Sequence, residues 1–381
     1  MGSHPTVGLV THFGDNYGAC LQAYATQMFV NNAGYDCQLV NYYPCRCRNK
    51  LHYCFCRAQR LLFHPYDICK HRILRLPIKG HLSTRHQAFN YFRKKYLKID
   101  NCKHKYYDDF YRDPPQYDMF VCGSDQIWNP TFYEGCNPVY YLDFVPPEKK
   151  RISYASSIGL SDIPEKYQKR MIQFLNRMSA LGVREVRAAE IVEELTGRKA
   201  QVVVDPTFLL DADQWRQLES KYKTKDPYIL FYLWGNEPFI DEFKNTVIKK
   251  TGLPAVCLPY RMQEYYGDEN KIFDAGPHDF FHLIDNAALV VTDSFHATTI
   301  SIICRTPFYT LSRQRDDQVN NMNSRFHTIV NKLGLKNRFI ASSTEFPDQI
   351  QMDVDFDYIY SHHLKPWREE SISYLLSSLG E

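Results

Sequence analysis

The stretch Ala288-Leu-Val-Val-Thr-Asp293-Ser294-Phe295-His296-Ala-Thr-Thr-Ile-Ser-Ile is an apolar run that stops at polar residues and opens directly into an amphipathic one. A strand turning straight into a helix leaves free backbone N–H groups at the positive end of the helix dipole, an arrangement that favours phosphate or carboxylate. Thr292, Asp293 and Ser294 are candidate caps for that helix, and Asp293 and Ser294 are candidates to meet an anionic donor. His296 falls in the first turn, where an imidazole can move protons near neutral pH; the alternative is a core histidine satisfied by backbone. Leu181-Gly-Val-Arg184-Glu185 repeats the pattern, with Arg184 emerging where the apolar run ends. A guanidinium there either grips a carboxylate or phosphate through two parallel hydrogen bonds or pairs with Glu185 or Glu190.

Two further stretches are polar at the end of an apolar run. In Val121-Cys-Gly123-Ser124-Asp125-Gln-Ile-Trp128, Gly123 permits close backbone approach, and Ser124 and Asp125 offer hydrogen bonds to a polyhydroxylated ligand. The loop Gly14-Asp-Asn16-Tyr17-Gly18-Ala-Cys-Leu-Gln22 has too few glycines for a dinucleotide fingerprint and lacks the lysine of a phosphate-binding P-loop. Asn16, Tyr17, Gly18, Gly123, Ser124 and Asp125 are therefore the candidates for lining the crevice or binding an acceptor. The sequence contains no Gly-x-Ser-x-Gly elbow and no His-Glu-x-x-His pair, so the common hydrolase and metalloprotease chemistries drop out. An arginine, a helix-start histidine and polar loops suit a phosphorylated small donor and a sugar acceptor.

Elements that bring such residues together can be read from the alternation of short β-branched runs with amphipathic stretches, the pattern of βα units on a parallel sheet. Strands are expected at 7–11, 37–42, 117–122, 151–155, 180–183 and 201–204, then at 228–233, 255–258, 289–292 and 308–311. Helices fall between them, one ending at the Thr196-Gly197 pair. A polar segment, 211–226, reads as a linker. The expected architecture is α/β, with two Rossmann-like domains facing a crevice. The first covers 1–215, the second 216–355, and 356–381 forms a C-terminal tail or helix. Ligands of such sheets gather beyond the carboxyl ends of the strands, where all four stretches lie.

From about 46 to 95 the sequence turns basic and aromatic, reading as a helical insert that either is a solvated excursion or meets an anionic membrane surface. Cys45-x-Cys47 and Cys54-x-Cys56 sit in it, but single-residue spacing does not match structural zinc, so no metal is expected. The net charge of +3 over 381 residues is too small to imply nucleic acid. No apolar run approaches the ~20 residues of a membrane span, and no secretory leader pattern opens the chain. A cytoplasmic protein with reduced cysteines is expected, with peripheral contact at the inner membrane face through the insert.

Taken together, Asn16-Tyr-Gly-Ala-x-Leu-Gln-Ala-Tyr-Ala25, Gly123-Ser-Asp-Gln-x-Trp-Asn-Pro130, Val183-Arg-Glu185 with Val204-Asp-Pro-Thr207, and Thr292-Asp-Ser-Phe-His-Ala297 resemble, in order and spacing, the polysaccharide pyruvyltransferases. The resemblance runs from about residue 7 to Arg338. It implies a glycosyltransferase-B-like fold, phosphoenolpyruvate as donor without a further cofactor, and a pyruvate ketal on a cell-surface glycan or its lipid-linked precursor. It also maps a donor-side histidine and arginine onto His296 and Arg184. One branch of the family carries Arg-Leu-His where this chain has Ser294-Phe295-His296, so an arginine is missing here; Arg325 is the candidate replacement for donor binding, or else a surface helix residue. The other readings of the same architecture are a nucleotide-sugar glycosyltransferase and a catalytically silent glycan-binding protein.

Overall fold

Among the described residues twelve short strands, the central ones apolar or β-branched runs, divide into two parallel sheets in a computed structural model of the chain. Residues 4–42, 49–54, 57, 77–102, 104–132, 135–222, 226–266, 270–314 and 322–380 are described. The first sheet holds β1 (Thr6–Val10), β2 (Asp36–Leu39), β3 (Met119–Cys122), β4 (Lys150–Ser156), β5 (Ala180–Val183) and β6 (Gln201–Val202), in the order β2-β1-β3-β4-β5-β6. The second holds β7 (Ile229–Tyr232), β8 (Ala255–Cys257), β9 (Asn270–Lys271), β10 (Leu289–Thr292), β11 (Phe308–Leu311) and β12 (Phe339–Ile340), in the order β12-β11-β10-β7-β8-β9. Strand order reverses between β1 and β3 in the first sheet and between β7 and β10 in the second, so each has a switch point where the loops part and leave a crevice. The two Rossmann-like domains of the expected fold are present.

Helices cover both sheets. In the first domain they are α1 (Tyr17–Asn32), α2 (Lys79–Tyr96), α3 (Tyr107–Arg112), α4 (Glu165–Leu175) and α5 (Val186–Thr196). After α6 (Ala212–Arg216), the second carries α7 (Pro238–Thr251), α8 (Pro277–Asp285), α9 (Phe295–Cys304) and α10 (Ser324–Lys332), followed by α11 (Phe356–Ile359) and α12 (Lys365–Gly380). Start and stop chemistry follows the sequence: Asn16 Oδ1 accepts the Ala19 N–H at 3.0 Å to cap α1. Gly197, with φ +69°, ends α5 in the left-handed region that a glycine enters without strain.

Three features depart from the sequence reading. The segment 211–226 is not an open linker in its described part: Asp211 and Gln214 form a reciprocal capping box for α6, and Trp215 is fully buried against Tyr24 and Phe281. Trp215 and Leu218 anchor a stretch that composition alone marks as polar. The C-terminal segment returns to the first domain, where Tyr374 donates to the Ser153 carbonyl at 2.9 Å and Trp367 to the Val202 carbonyl at 3.0 Å. Within the insert, α2 buries Phe89 and Phe92 and spans both domains: Arg93 reaches Asp15 at 2.8 Å and Arg85 the Pro259 carbonyl at 2.6 Å. Residues 43–48, 55–56 and 58–76, with Cys45, Cys47 and Cys56, lie outside the described residues, and with them about half of the insert on which membrane contact was expected. Among the described residues no helix is long and apolar enough to cross a membrane.

Candidate active site

The carboxyl ends of β1, β3, β5 and β6 meet the start of α9 from the second domain, and one carboxylate ties them together. Asp205, fully buried after β6, accepts the Thr207 N–H at 3.0 Å and the Thr207 hydroxyl at 2.8 Å on Oδ1. Its Oδ2 accepts Ser124 Oγ at 3.0 Å and Arg184 Nη1 at 2.9 Å, and His296 Nε2 stands 3.5 Å away. That last approach is not a hydrogen bond, since Nε2 has no bonded partner among the described residues. The ring of His296 is held from behind by α1: a Cβ placed on Gly18 would fall 2.0 Å from Nδ1. Phe295 lies edge-on to that ring and under the Arg184 guanidinium, 4.2 Å from its centroid.

Residues 16–315 match the model of the family described as polysaccharide pyruvyl transferase. The chain belongs to the polysaccharide pyruvyl transferase family. Among curated proteins none matches it. Of solved structures, Arabidopsis thaliana UGT89C1 complexed with UDP-L-rhamnose is similar at 10% identity and a TM-score of 0.50, over 99% of each chain. Methanocaldococcus jannaschii UDP-GlcNAc 2-epimerase, in complex with UDP-GlcNAc and UDP, is similar at 12% identity and a TM-score of 0.47, over 99% of this chain and 92% of that one. These likenesses concern the two-domain fold alone.

Electrostatics in this candidate site are dominated by ions held out of water. Burial alone would raise the Asp205 carboxyl, but His296 and Arg184 together hold it far below the ordinary carboxylate range. Asp125 is likewise lowered against its burial by His296, His12 and Arg184. Burial would lower Arg184, yet Glu185, Asp205 and Asp125 raise it. Arg325 behaves in the opposite way. It is 8% exposed, has neither ion pair nor hydrogen bond among the described residues, and its Nε is a buried orphan. Burial first, then repulsion from Arg313 and Arg184, pushes it down to about 9 in spite of Asp125 and Glu185. Arg184 Nη2 and Arg313 Nε are also buried without a hydrogen-bond acceptor. Three guanidinium groups within electrostatic reach of one another, short of acceptors, make a site for an anion. Among the described residues no group of three or more His, Cys, Asp or Glu is placed to hold a metal ion.

Of the residues singled out from sequence, His296, Arg184, Ser124, Asp125 and Arg325 gather here, and Gly18 backs the histidine. Gly123 has φ +115°, and a Cβ there would meet the Tyr154 carbonyl oxygen at 2.1 Å, so its role is close packing of β3 on β4. Ser294 caps α9 through the Ala297 N–H at 3.5 Å. Asp293 is fully buried, and its oxygens accept the N–H groups of Trp234 and Gly235 and face Arg313 Nε at 3.4 Å. It holds the loop after β7 and steadies an arginine rather than meeting an anion itself. Two of the acceptor candidates are also engaged elsewhere. Asn16 is the α1 cap, and Tyr17, 2% exposed, donates to the Ala275 carbonyl at 3.1 Å and stacks on Phe280 at 4.4 Å, joining the two domains. Arg184 pairs with Glu185 at 3.3 Å, as one reading held, but Glu190 instead takes Arg187 at 3.0 Å. The sequence reading did not assign Asp205, His12 or Arg313 to the site. Asp205 was visible only as one letter of Val204-Asp-Pro-Thr207, and the other two follow β1 and β11, positions that strand-end logic alone would have flagged.

Proposed function

We propose that the chain transfers the pyruvyl group of phosphoenolpyruvate to two hydroxyls of a sugar, forming a pyruvate ketal and releasing phosphate. The single observation behind this reading is Arg325, a buried guanidinium with no ion pair or hydrogen bond among the described residues, beside Arg313 and the partly satisfied Arg184. Such a cluster is costly in the free protein and is relieved by a small dianionic or trianionic ligand. Phosphoenolpyruvate carries carboxylate and phosphate on adjacent atoms, a spacing that several guanidinium groups can share.

In this mechanism the methylene carbon of the donor takes a proton, leaving cationic character at the carbon that bears phosphate. A sugar hydroxyl adds there, the carbon–oxygen bond to phosphate breaks, and a second hydroxyl of the same sugar closes the ketal. One hydroxyl proton ends on the new methyl group and the other leaves with phosphate, so no redox cofactor is required. His296 is the proton-transfer group, a role typically contributing ~10²–10⁴ in rate. Its charge is balanced by Asp205 at 3.5 Å. Arg184, Arg313 and Arg325 hold the donor through both steps. The acceptor is a glycan precursor sugar, in line with the family.

A phosphate-release assay tests the reading. The protein is incubated with phosphoenolpyruvate or with UDP-sugars, each with and without a panel of pyranosides. Release of phosphate from phosphoenolpyruvate that depends on a pyranoside supports the proposal. Release of UDP instead, with phosphoenolpyruvate untouched, points to an ordinary glycosyltransferase.

A further inference from the structure

The proposed reaction moves protons at two positions, the methylene carbon of the donor and the attacking hydroxyl. A single imidazole would have to give its proton to carbon and then turn to the hydroxyl, and the His296 ring is not free to turn: a Cβ on Gly18 would fall 2.0 Å from its Nδ1. A second group is needed, ionised and with a free lone pair at the crevice. The carboxylates about the site differ in what they can still accept. Asp205 is fully buried and already takes the Thr207 N–H and hydroxyl, Ser124 and Arg184. Asp293 is fully buried on the N–H groups of Trp234 and Gly235. Glu185 is fully buried, accepts the Ser157 hydroxyl and pairs with Arg184. Asp125 is only half-buried; its Oδ1 accepts the Gln126 N–H at 2.8 Å, and its Oδ2 has neither hydrogen bond nor ion pair among the described residues.

The position of Asp125 is fixed. It follows β3, the neighbour of β1 at the switch point, with φ +65°, and its carbonyl accepts the Ile127 and Ser157 N–H groups at 2.8 Å and 3.0 Å. A left-handed aspartate persists only where its surroundings hold it, and such residues gather at functional sites. The charged and titratable groups that bear on it come from four elements: His296 on α9, His12 after β1, Arg184 after β5 and Arg325 on α10. Burial would raise the Asp125 carboxyl, but His296, His12 and Arg184 hold it below the ordinary carboxylate range, so it is ionised at neutral pH. Arg184 and Arg325 are also the proposed donor clamp. A bound phosphoenolpyruvate offsets their charge, so Asp125 gains basicity as the donor arrives.

We propose that Asp125 is the base that takes the proton of the attacking sugar hydroxyl, with His296 as the acid that supplies the methylene carbon. The proposal deepens the transferase reading and rests on it. As the hydroxyl oxygen bonds to the carbon that bears phosphate, its proton passes to Asp125. The second hydroxyl's proton leaves with phosphate, and Asp125 returns its own to His296 through water, which restores both groups.

The test uses the full chain with phosphoenolpyruvate and a pyranoside that the wild type modifies, and compares wild type, Asp125→Asn and Asp125→Gly. Both replacements suit a left-handed backbone, so both are expected to fold, which melting temperature checks. Each should lower kcat by ~10²–10⁴ while the acceptor KM and the calorimetric phosphoenolpyruvate affinity stay within about threefold. Formate, a carboxylate small enough for the space the side chain leaves, should restore Asp125→Gly turnover at least about tenfold and in proportion to its concentration, whereas chloride should not. A folded Asp125→Asn that works at the wild-type rate overturns the assignment and leaves the transferase reading intact. So does a slow Asp125→Gly that formate does not restore. Phosphoenolpyruvate affinity that falls about tenfold or more in both variants makes Asp125 part of the donor site and overturns it too. If neither variant folds, Asp125 is a structural residue and the assignment falls. A wild type that transfers pyruvyl to no sugar removes the transferase reading, and this base with it.

Discussion

His296 Nε2 lies 3.5 Å from Asp205 Oδ2, the same oxygen that Arg184 Nη1 reaches at 2.9 Å. One buried carboxylate from the first domain therefore faces both His296 of the second domain, the proposed proton-transfer group, and Arg184 of the first, a proposed donor-binding cation. In the proposed mechanism Asp205 is a positioning residue for both.

Replacing Asp205 with Asn keeps the shape and removes the charge. Arg184 is then left with Glu185 alone, and breaking one partner out of a buried ion pair typically costs ~3–5 kcal/mol. A clear fall in melting temperature is expected, and turnover in the folded fraction should drop while its pH profile moves, because His296 loses the group that balances its charge. Calorimetric unfolding and a pH–rate series on the same preparation check this; unchanged stability and profile would detach Asp205 from the site.

Gly18→Ala puts a methyl group where the His296 ring now sits, with Nδ1 2.0 Å from the new Cβ. Overpacking of this kind costs ~1–3 kcal/mol and is relieved most easily by rotating the ring. Turnover is expected to fall at least about tenfold, since a misplaced acid/base group transfers protons poorly, while the acceptor KM stays near wild type. A selective rise in acceptor KM would instead return Gly18 to the acceptor.

For Arg325 the expected outcome separates stability from function. Burial and the neighbouring Arg313 and Arg184 cations push its guanidinium below the ordinary arginine range, to about 9, so below pH 9 the fold carries the charged form at a cost, and that cost declines as pH rises above about 9. Arg325→Met removes a buried cation that has no ion pair among the described residues and should stabilise the free protein by ~1–3 kcal/mol, read as a higher melting temperature. It should also weaken phosphoenolpyruvate binding by one to two decades, roughly the loss of a charge-assisted hydrogen bond. In the wild type, donor affinity should decrease as pH climbs through about 9, whereas Arg325→Met should lack that decline. Calorimetric titration at pH 7 and pH 10 reads both.

Tyr17→Phe deletes the hydroxyl that donates to Ala275 across the domain boundary. A loss of ~1 kcal/mol in stability is expected, with the acceptor KM unmoved. A raised acceptor KM at unchanged stability would restore Tyr17 as a sugar contact.

Much of this arrangement was legible in the sequence, for physical reasons that also explain the misses. The strands Ala180–Val183, Leu289–Thr292 and Phe308–Leu311 fall where the apolar runs begin and end, because fully buried parallel strands read as continuous apolar segments. Asn270–Lys271 and Phe339–Ile340 are two-residue edge strands, too short to leave a period. Helix α6 escaped because its hold on the core is one side chain, Trp215. At the site, His296 and Arg184 were visible because each is a charged group at the end of an apolar run. Asn16 and Tyr17 were read from sequence as lining the crevice or binding an acceptor, but a capping amide and an interdomain tyrosine look the same in sequence as ligand contacts.

The central claim is a chemical one, and the mass of the product tests it most directly. Wild type and His296→Gln are each incubated with phosphoenolpyruvate and a pyranoside that the wild type binds, and the sugar is analysed by mass spectrometry over time. The account predicts a sugar heavier by one pyruvate less one water, formed in step with phosphate, and a folded His296→Gln protein that makes it ~10²–10⁴ times more slowly. A wild type that leaves every bound pyranoside unchanged, or a folded His296→Gln that matches the wild-type rate, would contradict it.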